Sequence, residues 1–321
     1  MNPSQSTVRL ALACSAVLTF SAAVEAQNRF IASNGNDANS CSRALPCRTL
    51  QRGVTAVPPG GEVQILDSGE FGPTVYISKS VTISADGISA TIATPTASAT
   101  SVIINNANAV VALRGLLMTG GGTGLRGITI VNAAAVHIEN CEVERFASDG
   151  ILVYNVATEM FISDSVSRLN GGRGFAYTGT AGAKLSIQNS HFDDNATLGV
   201  QLSGPVETSI SNSVFAGNGS HGFYQTGGTS NLTWATSAHN AGAGYALTSG
   251  QLTLEESIAN ANTSAGLFVG AGTTGRISNS TFTNNSVGIQ NNGTVETRTN
   301  NTVAGNTAPL GGAALTPLPP T

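Results

Sequence analysis

The sequence predicts an all-β fold, a parallel β-helix solenoid of about ten coils of roughly 20 to 25 residues. A glycine followed by a large apolar residue recurs at Gly127, Gly150, Gly174, Gly199, Gly222, Gly244, Gly266 and Gly288, at spacings of 23, 24, 25, 23, 22, 22 and 22. Each glycine opens a short alternating run, for instance Gly150-Ile151-Leu152-Val153 and Gly266-Leu267-Phe268-Val269. Period-two alternation is the mark of a strand with one buried face. About ten residues further on stands a second apolar column, Ile138, Ile162, Ile187, Ile210, Trp234, Leu254 and Ile277. Three residues beyond each comes Cys141, Ser165, Ser190, Ser213, Ser237, Ser257 or Ser280, and five further on asparagine recurs at Asn170, Asn195, Asn218, Asn262 and Asn285.

Coils stacked at the inter-strand distance of about 4.8 Å turn these columns into ladders. The isoleucines then form a continuous core. Asparagine tolerates left-handed turn geometry and can hydrogen-bond along its own ladder, and glycine supplies corner backbone angles that other residues resist. A leucine-rich repeat has a similar period but needs a leucine-dense strand, and leucine is sparse here.

Charged residues are only 10% of the chain, a composition compatible with disorder, but 40% hydrophobic content recurring in columns is enough for a core. The net charge of -4 lacks the basic clusters that phosphate binding needs, which argues against a nucleic-acid partner. Residues 1–26 read as an export leader: Arg9, then apolar Leu10 to Phe20, then Val24-Glu25-Ala26 as a cleavage site before Gln27. Cys14 invites a lipoprotein reading, but Ala11 stands where a large aliphatic residue belongs. No later stretch approaches the roughly 18 apolar residues of a membrane span, so a secreted or periplasmic location is expected. Cys41 and Cys47 should pair there, and Cys141, in the small-residue column, should be a buried free thiol.

A solenoid needs capped ends. Arg48 to Val57 reads as a short amphipathic helix with Leu50, Val54 and Val57 on one face, plugging the N-terminal end. The expected organisation is thus the leader, a lead-in segment and cap over 27–62, the solenoid over 63–305, and a flexible Pro- and Gly-rich tail over 306–321.

The segments Phe30 to Asn39, Pro46 to Gln51, Pro59 to Leu66 and Ser80 to Ile83, with the Asn-Ser-x-Phe coils at Asn189, Asn212 and Asn279, resemble secreted right-handed parallel β-helix proteins of the pectate-lyase-like superfamily. The resemblance spans about residues 28–305 and implies architecture. That superfamily includes pectin and alginate lyases, polygalacturonases, epimerases, phage tailspikes and adhesins, so it fixes no single activity.

Charge concentrates in residues 136–173, where Glu139, Glu142, Glu144, Arg145, Asp149, Glu159, Asp164, Arg168 and Arg173 fall. A polygalacturonase-like centre would need Asp149-Gly150 and His221-Gly222 together, but they mark coils three steps apart, about 14 Å. Asp193-Asp194 lies earlier in its coil and does not fill the gap. Glu139, Glu142, Glu144 and Asp164 are the oxygen donors a calcium site would draw on, although alternation points some to different faces. No Cys and His spacing suggests zinc. His137 alternates with core residues and should face solvent; His191, His221 and His239 lie near turns.

Arg145, Asp149, Arg168 and Arg173 are therefore candidates for a polar groove, with the arginines presented outward on successive coils. Tyr224 and Phe268, in the outward column after the glycine, are candidates for stacking on sugars. The same charges read equally as a solvated surface with ladder ion pairs such as Asp149 with Arg173. Three functions remain open: binding of an acidic polysaccharide or another surface polymer without a catalytic constellation, a polyuronate lyase or epimerase, and a structural surface protein or adhesin.

Overall fold

The computed structural model describes residues 28–85 and 87–318; the leader expected over 1–26 lies outside them. The chain is a parallel β-solenoid. A 22-stranded sheet carries the first two strands of each coil, and an 11-stranded sheet carries the third, one strand per coil. In one coil these are Ile151–Val156, Glu159–Ser163 and Val166–Arg168. Their outer surfaces are called here the first, second and third faces.

Register follows burial. On the first strand Ile128, Ile151, Phe175, Val200, Phe223, Tyr245, Leu267 and Ile289 stack in one inward column. On the third, Phe192 and Phe215 stack with centroids 6.0 Å apart. All are buried in one continuous core. The N-terminal end is closed as expected by a helix, Leu50–Ala56, whose Leu50 and Val54 point into the core and whose cap Thr49 accepts from the Arg52 amide.

The Cys41–Cys47 disulfide is formed, with Cα atoms 4.7 Å apart, and Cys141 is a buried free thiol. Replacing both bonded cysteines by serine is expected to lower unfolding free energy by about 2 kcal/mol, the value for so short a loop. Thiol labelling of the unfolded, unreduced chain from Gln27 onward should modify Cys141 alone. Modification of all three would show that the bond does not form.

Four expectations change. Trp234 is not in the core column; Leu232 is, paired with Ile210 below and Leu254 above. The small residue three further on is accordingly Ala235, while Ser237 lies inward on the third strand beside Phe215. The register error also hid Asn240. The ladder runs Asn170, Asn195, Asn218, Asn240, Asn262 and Asn285, all buried, to the part-exposed Asn306, each amide nitrogen donating to the next side-chain oxygen at 2.9–3.1 Å.

Those asparagines are not the left-handed residues. The residue before each is, as at Leu169 (φ 55°), Asp194 (φ 54°), His239 (φ 57°) and Ala261 (φ 55°). Nor is the glycine column there for its backbone angles. A Cβ on Gly150 would lie 2.7 Å from the Asn170 amide nitrogen and 2.8 Å from the Gly174 carbonyl. The glycines leave room for the asparagine ladder.

Finally, the segment expected as a flexible tail continues the solenoid. Ala308–Gly312 pairs with Val287–Asn291, and Thr316–Pro317 with Glu296–Thr297. Pro309 is tolerated because Ala308 donates the bond to Ser286 in the coil below, and the missing amide falls on the open edge of the final strand.

Candidate functional site

The residue before each coil-opening glycine lies at the corner where the third face turns into the first. The column reads Arg126, Asp149, Arg173, Leu198, His221 and Ala243, as the amides of Gly127, Gly150, Gly174, Gly199 and Gly222 donate to successive carbonyls along it. Asp149 and His221 are three coils apart, as the spacing predicts.

Asp149 is only 3% exposed. Its two oxygens accept from Arg173 Nε at 2.7 Å and Nη2 at 2.8 Å, and the Arg173 amide adds a bond of 3.1 Å. Arg126 approaches from the coil below, 3.7 Å away. Burial pushes the Asp149 carboxyl up, but the hydrogen bonds and charge of Arg173, with the charge of Arg126, outweigh it and hold the group below the ordinary carboxylate range. The trio carries one net positive charge.

From this corner polar contacts run onto the first face. Arg173 Nη1 donates to Gln201 at 2.9 Å, and Arg126 Nη1 to the Tyr154 hydroxyl at 3.4 Å. Gln201 is followed in the outward column by Tyr224, Ala246 and Phe268. Tyr224 and Phe268 are part-buried against the fully buried Ala243, Ala246 and Ala265, two coils or about 10 Å apart. His221 stacks on Tyr224 with centroids 5.4 Å apart, and its Nδ1 accepts from the Ala243 amide at 2.8 Å. That bond requires the neutral ring, and burial lowers its pKa in the same sense.

Asp149, Arg173, Tyr224 and Phe268 thus share one face. Arg145 and Arg168 do not. Arg168 lies on the third face between Glu142 at 2.5 Å and Glu144 at 3.2 Å, and Arg145 lies 3.5 Å from Glu144. The expected row of outward cations is therefore split between two faces, and each arginine is matched to a carboxylate. Sequence reading passed over Arg126, Tyr154 and Gln201. Arg126 was within reach, since it precedes Gly127 as Asp149 precedes Gly150.

The acidic residues considered for calcium do not converge. Glu139 binds Arg114 at 2.8 Å, Glu142 and Glu144 hold Arg168, and Asp164 accepts from Asn189 at 3.2 Å. Among the described residues no group of three or more His, Cys, Asp or Glu is placed to hold a metal. His137 faces outward on the second face, stacked on Phe161 at 4.6 Å. His191 pairs with Asp193 at 3.1 Å on the third face. Cys141 is inert, since burial pushes its thiol up to about 12.

Stacked three-strand coils with a polar and aromatic strip along one side define a β-helix of the kind that presents a long lateral surface. The chain belongs to the right-handed parallel β-helix family: the family described as "Right handed beta helix region" matches residues 65–204 and 182–308. No curated protein sequence matches it. Similar solved structures include the pectate lyase Pel9A, at 15% identity and TM-score 0.59 over 90% of this chain and 79% of that one. The Azotobacter vinelandii mannuronan C-5 epimerase AlgE4 A-module matches at 16% identity and TM-score 0.58 over 81% and 91%. The Dettilon tailspike protein matches at 13% identity and TM-score 0.53 over 83% and 63%. At these identities the likeness is one of fold. Among the described residues no helix is long and apolar enough to cross a membrane.

Proposed function

We propose that the protein is exported and binds an extended polysaccharide along its first face, without acting on it chemically. The carrying observation is the strip itself. Arg126 and Arg173 around one carboxylate, then Gln201, Tyr224 and Phe268, follow one another over six coil steps, about 29 Å along the axis. The cationic end suits sugar carboxylates, and the aromatic end suits the apolar face of a pyranose. Two structural neighbours are named for pectate and mannuronan, which supports a polysaccharide ligand. The Cys41–Cys47 bond supports an oxidising, extracytoplasmic location.

Binding is favoured over catalysis because both oxygens of Asp149 are taken by Arg173, and the neutral His221 is distant with Nδ1 already engaged. Retention on immobilised polygalacturonate or alginate is expected, fading as salt shortens the Debye length below about 10 Å. Tyr224→Ala with Phe268→Ala should weaken it at least about tenfold, each ring contributing about 1 kcal/mol, while the variant still unfolds cooperatively at a somewhat lower midpoint because both rings are part-buried. Release of unsaturated chain ends, read by ultraviolet absorbance, would make the protein a lyase instead. Absence of retention on both resins would remove the polyuronate reading.

A further inference from the structure

The coil corner between the second and third faces is a column of left-handed residues: Asn140, Asp164, Asn189, Asn212, Trp234, Glu256 and Asn279, with φ of 47–53°. Asparagine and aspartate take this conformation readily, but a tryptophan there is an outlier. It is the only tryptophan in the chain. Trp234 is 56% exposed, and its indole Nε1 donates to the Glu256 carboxylate in the coil above. That bond fixes the ring by its edge. Among the described residues no aromatic ring stacks on Trp234 and no cation lies over it.

Two carboxylates, Glu255 and Glu256, lie in the coil above Trp234. The next base along the chain, Arg276, stands above Thr253 and is paired with Glu296 at 2.7 Å. Glu255, whose carbonyl accepts from the Trp234 amide, bonds through its side chain to Asn279 at 2.7 Å, and no salt bridge reaches Glu255 or Glu256 among the described residues. An indole face attracts both the C–H face of a pyranose and a cation, and the adjoining carboxylates favour the cation. Asn212, exposed in the coil below, adds an amide suited to a hydroxyl.

We propose that Trp234, with Glu255 and Glu256 beside it and Asn212 below it, is a binding site for a hexosamine unit bearing a free ammonium group, within an amino-sugar polymer. The pyranose stacks on the indole and the ammonium faces the carboxylates. This site is separate from the first-face strip and does not depend on it.

The single tryptophan makes its own fluorescence the probe. Titrating the chain from Gln27 onward with the glucosamine tetramer should give a saturable change that weakens as salt rises, and calorimetry should show the same binding. Trp234→Asn restores the residue usual in this column, so the fold is kept, and calorimetric binding should be lost. Glu256→Gln should weaken it at least tenfold. The fully N-acetylated tetramer and tetralysine should produce no saturable change. No saturable response to the glucosamine tetramer would overturn the site. So would an equal response to the acetylated tetramer, which would mean stacking without charge recognition, or to tetralysine, which would mean a diffuse field attracting any polycation.

Discussion

Ile187→Asp should abolish cooperative folding, and Ile210→Asp should do the same. Each side chain is at most 1% exposed and lies in the inward column of the second strand, Ile187 between Ile162 and Ile210. A carboxylate there has no partner, and neutralising it by protonation still leaves a polar group between stacked methyls. The cost, above about 5 kcal/mol, is comparable to the whole stability of a domain. In a solenoid one broken coil also removes the support of its two neighbours, so the damage spreads along the axis. Ile187→Leu, which conserves volume, should cost less than about 1.5 kcal/mol and serves as the control. A soluble Ile187→Asp protein that melts cooperatively near the wild-type temperature would mean that the inward and outward faces are interchanged.

Arg173→Ala should cost about 3 kcal/mol near neutral pH, because it leaves the buried Asp149 carboxylate with only the backbone amide of residue 173 and the more distant Arg126. An exposed arginine removed from a ladder ion pair would cost a fraction of that. The pH dependence separates the two cases. With Arg173 present the folded pKa of Asp149 is depressed, so its contribution is in place above the unfolded value of about 3.9 and is lost as pH falls through the lower folded value. Without Arg173 burial prevails, the folded pKa is raised, and stability declines as pH climbs from the unfolded value through the raised one. The deficit of the variant should therefore be greatest near neutral pH and shrink toward pH values where Asp149 is protonated in both states. Denaturant titrations across the acid range would measure it, and a small deficit independent of pH would place Asp149 in contact with solvent.

Period-two alternation could not separate Trp234 from Leu232, because residues two apart point to the same side of a strand. Placing Trp234 in the column, three residues before Ser237, misplaced one coil and concealed Asn240. The pairing of Leu232 with Ile210 and Leu254 resolves the choice, in step with the 22-residue spacing of these coils. The site shows a similar division. Asp149 and Arg173 precede their glycines and can be read as one column, whereas the separation of Arg168 onto another face depends on where each coil bends.

The sequence by itself determined the class of fold, the coil period, the core columns outside the Trp234 coil, the N-terminal cap and the disulfide. All of these arise from repeats or from neighbours close along the chain. The tertiary structure decided that Arg168 meets Glu142 and Glu144 on another face, that Asp149 is buried, that Tyr224 and Phe268 share a face with Arg173, and that residues 308–317 add further strands. The physical reason is that a ladder contact joins residues some 22 to 25 positions apart. An insertion or bend in any coil shifts which side chains stand above one another, and this leaves the alternation within each strand unchanged.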